Sequence, residues 1–278
     1  MIFEVRTRTG AALPSFGLGT WRMGENDASR RDEVDALRAG LDLGVTLIDT
    51  AEMYGHGGAE RIVAEAIDGR REGIVLVTKV LPQNASYAGT LGACEASLKR
   101  LRTDRIDLYL LHWPGDHPLD ETLRAFTKLE ADGKILHYGL SNFDIGEMQR
   151  AEGLHGGAGV AANQVLYNLH RRGIERRLIP WCAQRRIAVM AYSPLEQGRL
   201  RPHPVLRTAA ERHGVTPAQI ALAWTMRHDN VITIPKSTRR EHVRDNVRSA
   251  DIVLTEEDLA DLERAFPAPA RDVPLETL

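Results

Sequence analysis

The sequence has little cysteine, few aromatic residues and no excess of charge of either sign. Two cysteines, Cys94 and Cys182, cannot build a disulfide framework in 278 residues, and neither has the spacing of a metal ligand. Aromatic residues make up 5% of the chain, and its formal net charge is −2. A chain without a basic excess lacks the field that holds proteins on nucleic acid or anionic membranes. These deficits predict a protein of the reducing cytoplasm with no nucleic-acid partner and no metal site.

Long apolar segments are also missing. The first residues, 1–6, include charges where a secretory signal needs an apolar stretch, and no uncharged run approaches the roughly 20 residues of a membrane span. We therefore expect neither export nor membrane insertion. The chain does contain 43% hydrophobic and 27% charged residues, as globular proteins do. Its length fits one α/β barrel spanning residues 1–278, and the absence of a long exposed apolar stripe predicts a monomer.

Short apolar runs alternate with segments of helical period along the chain. Two short strands, 3–7 and 11–13, flank the turn Arg8-Thr9-Gly10 and predict an N-terminal hairpin. Eight apolar runs follow, at 16–20, 46–49, 74–79, 106–112, 135–141, 161–164, 187–192 and 231–235. They are continuously apolar rather than alternating, which indicates parallel strands covered on both faces.

The segments between these runs predict the covering helices. The helical segments with clear limits are 29–43, 58–68, 90–101, 120–131 and 218–226. Thr216-Pro217 has the pattern of a helix start, and a capping box at Thr255 begins a last helix that ends near Phe266. The tail, 267–278, contains three prolines and is expected to lie on the barrel as a loop.

A glycine or polar residue closes each apolar run. These residues are Gly19, Asp49, Lys79, His112, Asn142, Gln164, Tyr192 and Lys236. Their mean separation of about 31 residues is that of a (β/α)8 TIM barrel, whose active site lies at the carboxyl ends of its strands. A doubly wound open sheet is the competing fold. Its dinucleotide-binding pattern fails here, because Arg22 stands where the third glycine is required after Gly17-Leu18-Gly19.

Four of the residues at this end of the barrel have side chains that are suited to act together in catalysis. Asp49, Lys79 and His112 close their strands, and Tyr54 follows Asp49 on the same loop. We expect Lys79 to lower the pKa of the Tyr54 phenol, Asp49 to keep Lys79 charged, and His112 to orient a substrate carbonyl. Taken singly, each has an ordinary structural interpretation, such as an ion pair or a surface tyrosine. Together they predict reduction of a carbonyl, with Tyr54 as general acid.

Eight motifs, in order along nearly the whole chain, resemble those of the aldo-keto reductases. They are Gly17-Leu18-Gly19-Thr20-Trp21, residues 47–55 (LIDTAEMYG), Val77-Thr78-Lys79, Leu110-Leu111-His112-Trp113, residues 139–143 (GLSNF), Asn163-Gln164, residues 191–195 (AYSPL) and Ile234-Pro235-Lys236-Ser237. The resemblance implies a catalytic tetrad of Asp49, Tyr54, Lys79 and His112.

The resemblance also implies a nicotinamide cofactor and the residues that bind it. Ser141, Asn142 and Gln164 would bind the carboxamide, and the Tyr192 ring would stack on the nicotinamide. Gly19, Thr20 and Arg22 would also lie along the cofactor. Ser193 and Leu195 would meet the pyrophosphate, and Lys236, Ser237, Thr238 and Asn246 the adenosine end. Trp21 and Trp113 would line the substrate pocket.

One cofactor position departs from the family pattern. His242 stands where many members place an arginine against the 2′-phosphate of NADPH. Lys236 and the nearby Arg239, Arg240 and Arg244 still supply positive charge, so NADPH is favoured and NADH stays possible.

Loop lengths and local motifs predict the class of substrate, and two other functions are also considered. Short loops after Leu195 and Phe266 predict a shallow, open mouth that suits small aldehydes and α-dicarbonyls. Residues 49–54 and the helix around Cys94 resemble the bacterial branch that includes methylglyoxal reductases. Two other functions remain open: a Schiff-base aldolase acting through Lys79, and a catalytically silent nicotinamide-binding sensor or regulatory subunit.

Overall fold

The structure, a computed structural model that describes all 278 residues, begins with a two-stranded antiparallel hairpin. Its strands are β1 (Glu4–Arg6) and β2 (Ala12–Pro14), with Val5 opposite Leu13. Eight parallel strands then form one sheet in which neighbours in space are neighbours in sequence. They are β3 (Gly17–Gly19), β4 (Leu47–Asp49), β5 (Val75–Val80), β6 (Ile106–Leu111), β7 (Ile135–Ser141), β8 (Val160–Leu166), β9 (Ala188–Tyr192) and β10 (Val231–Thr233).

Backbone hydrogen bonds join the first barrel strand to the last. The amide of Gly19 donates to the carbonyl oxygen of Pro235 at 3.0 Å. The amide of Thr233 donates to the carbonyl oxygen of Ser15 at 2.9 Å. The sheet therefore closes on itself. The predictions of a (β/α)8 barrel and an N-terminal hairpin are confirmed.

Ten helices follow the chain around the barrel. They are α1 (Arg30–Asp42), α2 (Gly58–Ala66), α3 (Tyr87–Leu101), α4 (Leu119–Ala131), α5 (Ile145–Glu152), α6 (Leu178–Gln184), α7 (Pro204–His213), α8 (Pro217–Thr225), α9 (Arg240–Arg248) and α10 (Glu256–Ala265). The caps predicted at Thr216 and Thr255 are present as complete capping boxes. Helix α3 begins three residues before its predicted start, because the Ser86 side chain accepts a hydrogen bond from the amide of Gly89 and caps it there.

The hairpin closes the amino-terminal end of the barrel. Val5, Ala11 and Leu13 are buried among the inward-facing strand residues. The Arg8 side chain reaches the carbonyl of Val160 at 3.1 Å, at the start of β8. A larger apolar layer lies between strands and helices. With one end filled in this way, only the carboxyl ends of the strands remain to form a site.

Cys94 and Cys182 are buried without a disulfide, and burial raises the pKa of each thiol to about 12, so they pack as small apolar groups. None of the helices has the length and apolarity needed to cross a membrane.

Candidate active site

A buried ion pair lies at the centre of the site. Lys79 has no exposed surface, and its Nζ lies 2.9 Å from both carboxylate oxygens of Asp49 and 2.7 Å from the carbonyl of Thr50. The Tyr54 hydroxyl lies 3.4 Å from the same Nζ. The structure thus brings together a carboxylate, an ammonium and a phenol that lie in three different parts of the sequence.

Burial shifts the pKa values of Tyr54 and Lys79. It raises the pKa of Tyr54 well above its ordinary value, and the negative charge of Asp49 raises it further. The expectation of a lowered pKa for this phenol is therefore wrong. Burial also lowers the pKa of Lys79, against the opposing effect of Asp49. The phenol consequently holds its proton across the physiological pH range.

His112 is held neutral beside Tyr54. Its ring centroid lies 5.7 Å from that of Tyr54 in an edge-to-face arrangement. Burial lowers the pKa of His112 to about 2, and the charge of Lys79 contributes to this shift. Its Nδ1 is buried without a partner. We place the proton of the neutral imidazole on Nε2, so that Nδ1 is an acceptor and Nε2–H is the donor that meets a ligand.

Two of the side chains expected to bind the nicotinamide carboxamide, those of Gln164 and Asn142, form hydrogen bonds with other residues of the site. Gln164 Nε2 donates to Asp49 Oδ1 at 2.7 Å. Asn142 Nδ2 donates to the carbonyl of His112 at 3.1 Å, and the Tyr192 hydroxyl donates to Asn142 Oδ1 at 2.9 Å. These bonds connect the end of β8 to that of β4, and separately connect the ends of β6, β7 and β9.

A cavity of about 760 Å³ opens above these groups. Of the residues predicted for the site, all line this cavity except Lys79, which is buried behind Tyr54 and Asp49. The lining residues among them are Gly19, Thr20, Trp21, Arg22, Asp49, Tyr54, His112, Trp113, Ser141, Asn142, Gln164, Tyr192, Ser193, Leu195, Lys236, Ser237, Thr238, His242 and Asn246.

Sequence reasoning missed several lining residues. Met53 and Arg239 adjoin predicted site residues, so their position in the chain could have indicated them. Asp245 lies three residues after His242 on α9, a signal that helical spacing carries. Leu278 has no such signal. The tail is a loop on the barrel as predicted, and its last residue, Leu278, also lines the cavity.

The far end of the cavity is electropositive. Lys236 and Arg239 line it, and burial together with the nearby charge of Arg22 lowers the pKa of Lys236. The first turns of α8 and α9 also contribute lining residues, and helix N-termini favour anions. Arg240, counted among the available cations in the sequence, instead pairs with Asp35.

The comparison with known families agrees with this geometry. A model described as the aldo/keto reductase family matches residues 15–266. The chain belongs to the aldo/keto reductase family. It is an oxidoreductase of that family, as the eight motifs predicted.

Individual aldo/keto reductases give a finer comparison. The chain is 51% identical over 263 residues to the methylglyoxal reductase YeaE of Escherichia coli (strain K12), an alignment covering 93% of each. It is 35% identical to the glyoxal reductase of Bacillus subtilis (strain 168), over 92% of this chain and 90% of that one.

Solved structures show the same fold. An aldo/keto reductase from Klebsiella pneumoniae in complex with NADP and acetate superimposes with a TM-score of 0.97 at 50% identity, covering 100% of both chains. Another structure, an aldo-keto reductase from Klebsiella pneumoniae in complex with NADPH, gives a TM-score of 0.96 with the same identity and coverage.

The neutral state of His112 predicts a dependence of stability on pH. Below pH 6.5 the unfolded chain protonates this imidazole, whereas the folded chain keeps it neutral down to a pKa of about 2. The free energy of unfolding should therefore fall with pH by about 1.4 kcal/mol per unit from this group, over the pH range below 6.5.

Urea unfolding between pH 6.5 and 4 measures this slope. His112→Gln should remove that part of the slope, whereas His155→Gln, which changes an exposed imidazole and retains His112, should keep it. Equal slopes for the His112→Gln variant and the unmodified protein would contradict a buried neutral His112.

Proposed function

We propose that this aldo/keto reductase reduces small aldehydes or α-dicarbonyls, such as methylglyoxal, to alcohols with NADPH, and that Tyr54 donates the proton. The observation that carries the proposal is a protonated phenol on a cavity wall, 3.4 Å from a buried ammonium. The names of the relatives, a methylglyoxal reductase and a glyoxal reductase, support the substrate class.

The cavity has the donor set of a nicotinamide dinucleotide site. Asn142 and Gln164 offer amide groups at one end, and the Tyr192 ring offers a stacking face. Lys236 and Arg239 supply positive charge at the other end, where phosphate groups would lie. His242 lines the same end, so it is positioned to affect the choice between NADPH and NADH.

Residues of this chain would donate the proton and stabilise the negative charge that develops during the reaction. Bound NADPH supplies a hydride to the carbonyl carbon. Tyr54 donates its proton to the carbonyl oxygen, and the Lys79 ammonium stabilises the phenolate that this transfer leaves behind. Neutral His112 orients the carbonyl through Nε2–H. Because burial opposes ionisation of the phenol, the nearby ammonium is essential at the moment of transfer.

The walls around Tyr54 suit a small substrate. Trp21 and Met53 are each 38% exposed and line the cavity together with Trp113 and Leu278. These apolar side chains surround the polar groups that would face the carbonyl. The arrangement favours a short carbonyl compound over a bulky ring system.

The geometry argues against the Schiff-base alternative. An aldolase lysine needs a free, accessible amine to attack a carbonyl. Lys79 has no exposed surface, and its N–H groups bond to Asp49 and Thr50. A substrate would have to break this buried pair before it could react.

We also propose an oligomeric state and a cellular compartment for the enzyme. The chain would act as a monomeric, single-domain barrel in the cytoplasm without a metal ion. The buried free cysteines support a reducing compartment.

Loss of NADPH absorbance at 340 nm tests the function. We expect oxidation of NADPH with methylglyoxal, a simple aromatic aldehyde or a sugar aldehyde, and a slower reaction when NADH replaces NADPH. Binding of NADPH without turnover on any of these carbonyls would contradict the proposal and favour the sensor.

The role of Tyr54 is tested by removing its hydroxyl. Tyr54→Phe should lower kcat by about 10²- to 10⁴-fold while the Kd for NADPH stays nearly unchanged, because the ring remains and only the proton donor is lost. Tyr87→Phe, outside the cavity at the start of α3, serves as the matched control. An active Tyr54→Phe enzyme would overturn the assignment.

A further inference from the structure

A second charged group lies on the outer side of the barrel wall, behind Lys79. Thr78, the residue before Lys79 on β5, donates its hydroxyl to Glu60 Oε1 at 2.7 Å. Glu60 has no exposed surface, and its other oxygen accepts from Nε of Arg100 on α3. A carboxylate buried on α2 is thus paired by an arginine from the neighbouring helix.

Arg100 also approaches the chain just before Tyr54. Its Nη2 lies 3.9 Å from Oε2 of Glu52, a side chain that is 10% exposed. The other oxygen of Glu52 accepts from the amide of Leu81 at 2.7 Å and from the Asn84 side chain at 3.0 Å. Glu52 therefore ties the loop that carries Tyr54 to the segment after β5, and Arg100 supplies the facing positive charge.

The Arg100 side chain also supports the loop just after Tyr54. Gly55, His56 and Gly57 all have positive φ, at 56°, 52° and 81°. A Cβ on Gly57 would lie 2.5 Å from Cδ of Arg100, so the arginine packs directly on this turn. Three consecutive left-handed residues, one of them not glycine, need support from their surroundings.

We infer that Arg100 is a positioning residue that holds the Tyr54 loop from both sides and so keeps the phenol in place beside Lys79. It touches neither the cavity nor the reacting groups. Glu60 anchors the arginine, and Glu52 and Gly57 are the points at which it meets the loop. This inference rests on the proposed role of Tyr54 as proton donor.

The inference predicts a loss of turnover without a loss of cofactor binding. Arg100→Met should lower kcat by about 10- to 100-fold, since small displacements of a reacting group cost that much, while the Kd for NADPH stays nearly unchanged. Arg100→Lys, which keeps the charge near both carboxylates, should recover part of kcat. Glu52→Gln keeps an acceptor for Leu81 and removes only the charge, so it should give a smaller loss of the same kind.

A matched variant separates positioning from general stability. Arg71 pairs with Asp107 at 2.6 Å, both side chains are 17% exposed, and the pair lies at the amino-terminal end of the barrel. Arg71→Met should lower the melting temperature comparably and leave kcat nearly unchanged. An unchanged kcat in Arg100→Met, or an equal loss in Arg71→Met, would overturn the inference.

The double variant Tyr54→Phe/Arg100→Met shows whether Arg100 acts through Tyr54. We expect it to have the same residual kcat as Tyr54→Phe alone, because an arginine that only positions a hydroxyl has no effect once the hydroxyl is gone. A further loss equal to that of Arg100→Met alone would contradict the inference. A fully active Tyr54→Phe would instead overturn the donor assignment, whereas an inactive Tyr54→Phe with a fully active Arg100→Met would overturn only the role of Arg100.

Discussion

The ion pair of Lys79 and Asp49 is the constraint on which the open end of the barrel depends. Both charges are almost completely removed from water, and removing one partner of such a pair typically costs about 3–5 kcal/mol, because the other charge is left unpaired. Thr50 and Gln164 satisfy the remaining donors and acceptors. A pair of this kind adds little stability compared with apolar packing, so its presence at the cavity points to chemistry rather than to folding.

The backbone around this pair concentrates unusual conformations at the same end of the barrel. Eight residues other than glycine have positive φ, and six of them lie in loops that follow the carboxyl ends of strands. These six are Arg22, His56, Asn142, Ser193, Glu196 and Gln197. Such conformations cost about 1–3 kcal/mol each unless the surroundings hold them, and they cluster at functional sites. The Gly-rich turn after Tyr54, supported by Arg100, belongs to this pattern.

Local patterns in the sequence were sufficient to predict the barrel and much of its site. Apolar runs about 31 residues apart predict strands whose ends share one face, and this places Asp49, Lys79 and His112 together without further information. Spacing along the chain does not measure burial, however. The pKa of Tyr54 was therefore predicted in the wrong direction, since burial of the phenol and the negative charge of Asp49 both raise it.

Contacts between distant elements were the other part that the sequence did not reveal. Gln164 reaches Asp49 across the inside of the barrel, and Leu278 reaches the cavity from a tail without regular structure. Arg100 joins two carboxylates that lie 40 or more residues away. None of these contacts leaves a periodic signal, because each depends on how the closed barrel packs rather than on neighbours in the chain.

Single-turnover oxidation of NADPH by methylglyoxal in a Lys79→Met variant measures what the buried ammonium contributes to hydride transfer. Asp49→Asn/Lys79→Met, which removes both charges together, is measured beside it so that no unpaired charge is left buried. We expect both variants to fold and bind NADPH, and hydride transfer to slow by at least about 100-fold when the ammonium beside Tyr54 is lost. A transfer rate close to that of the unmodified enzyme in either variant would contradict this expectation.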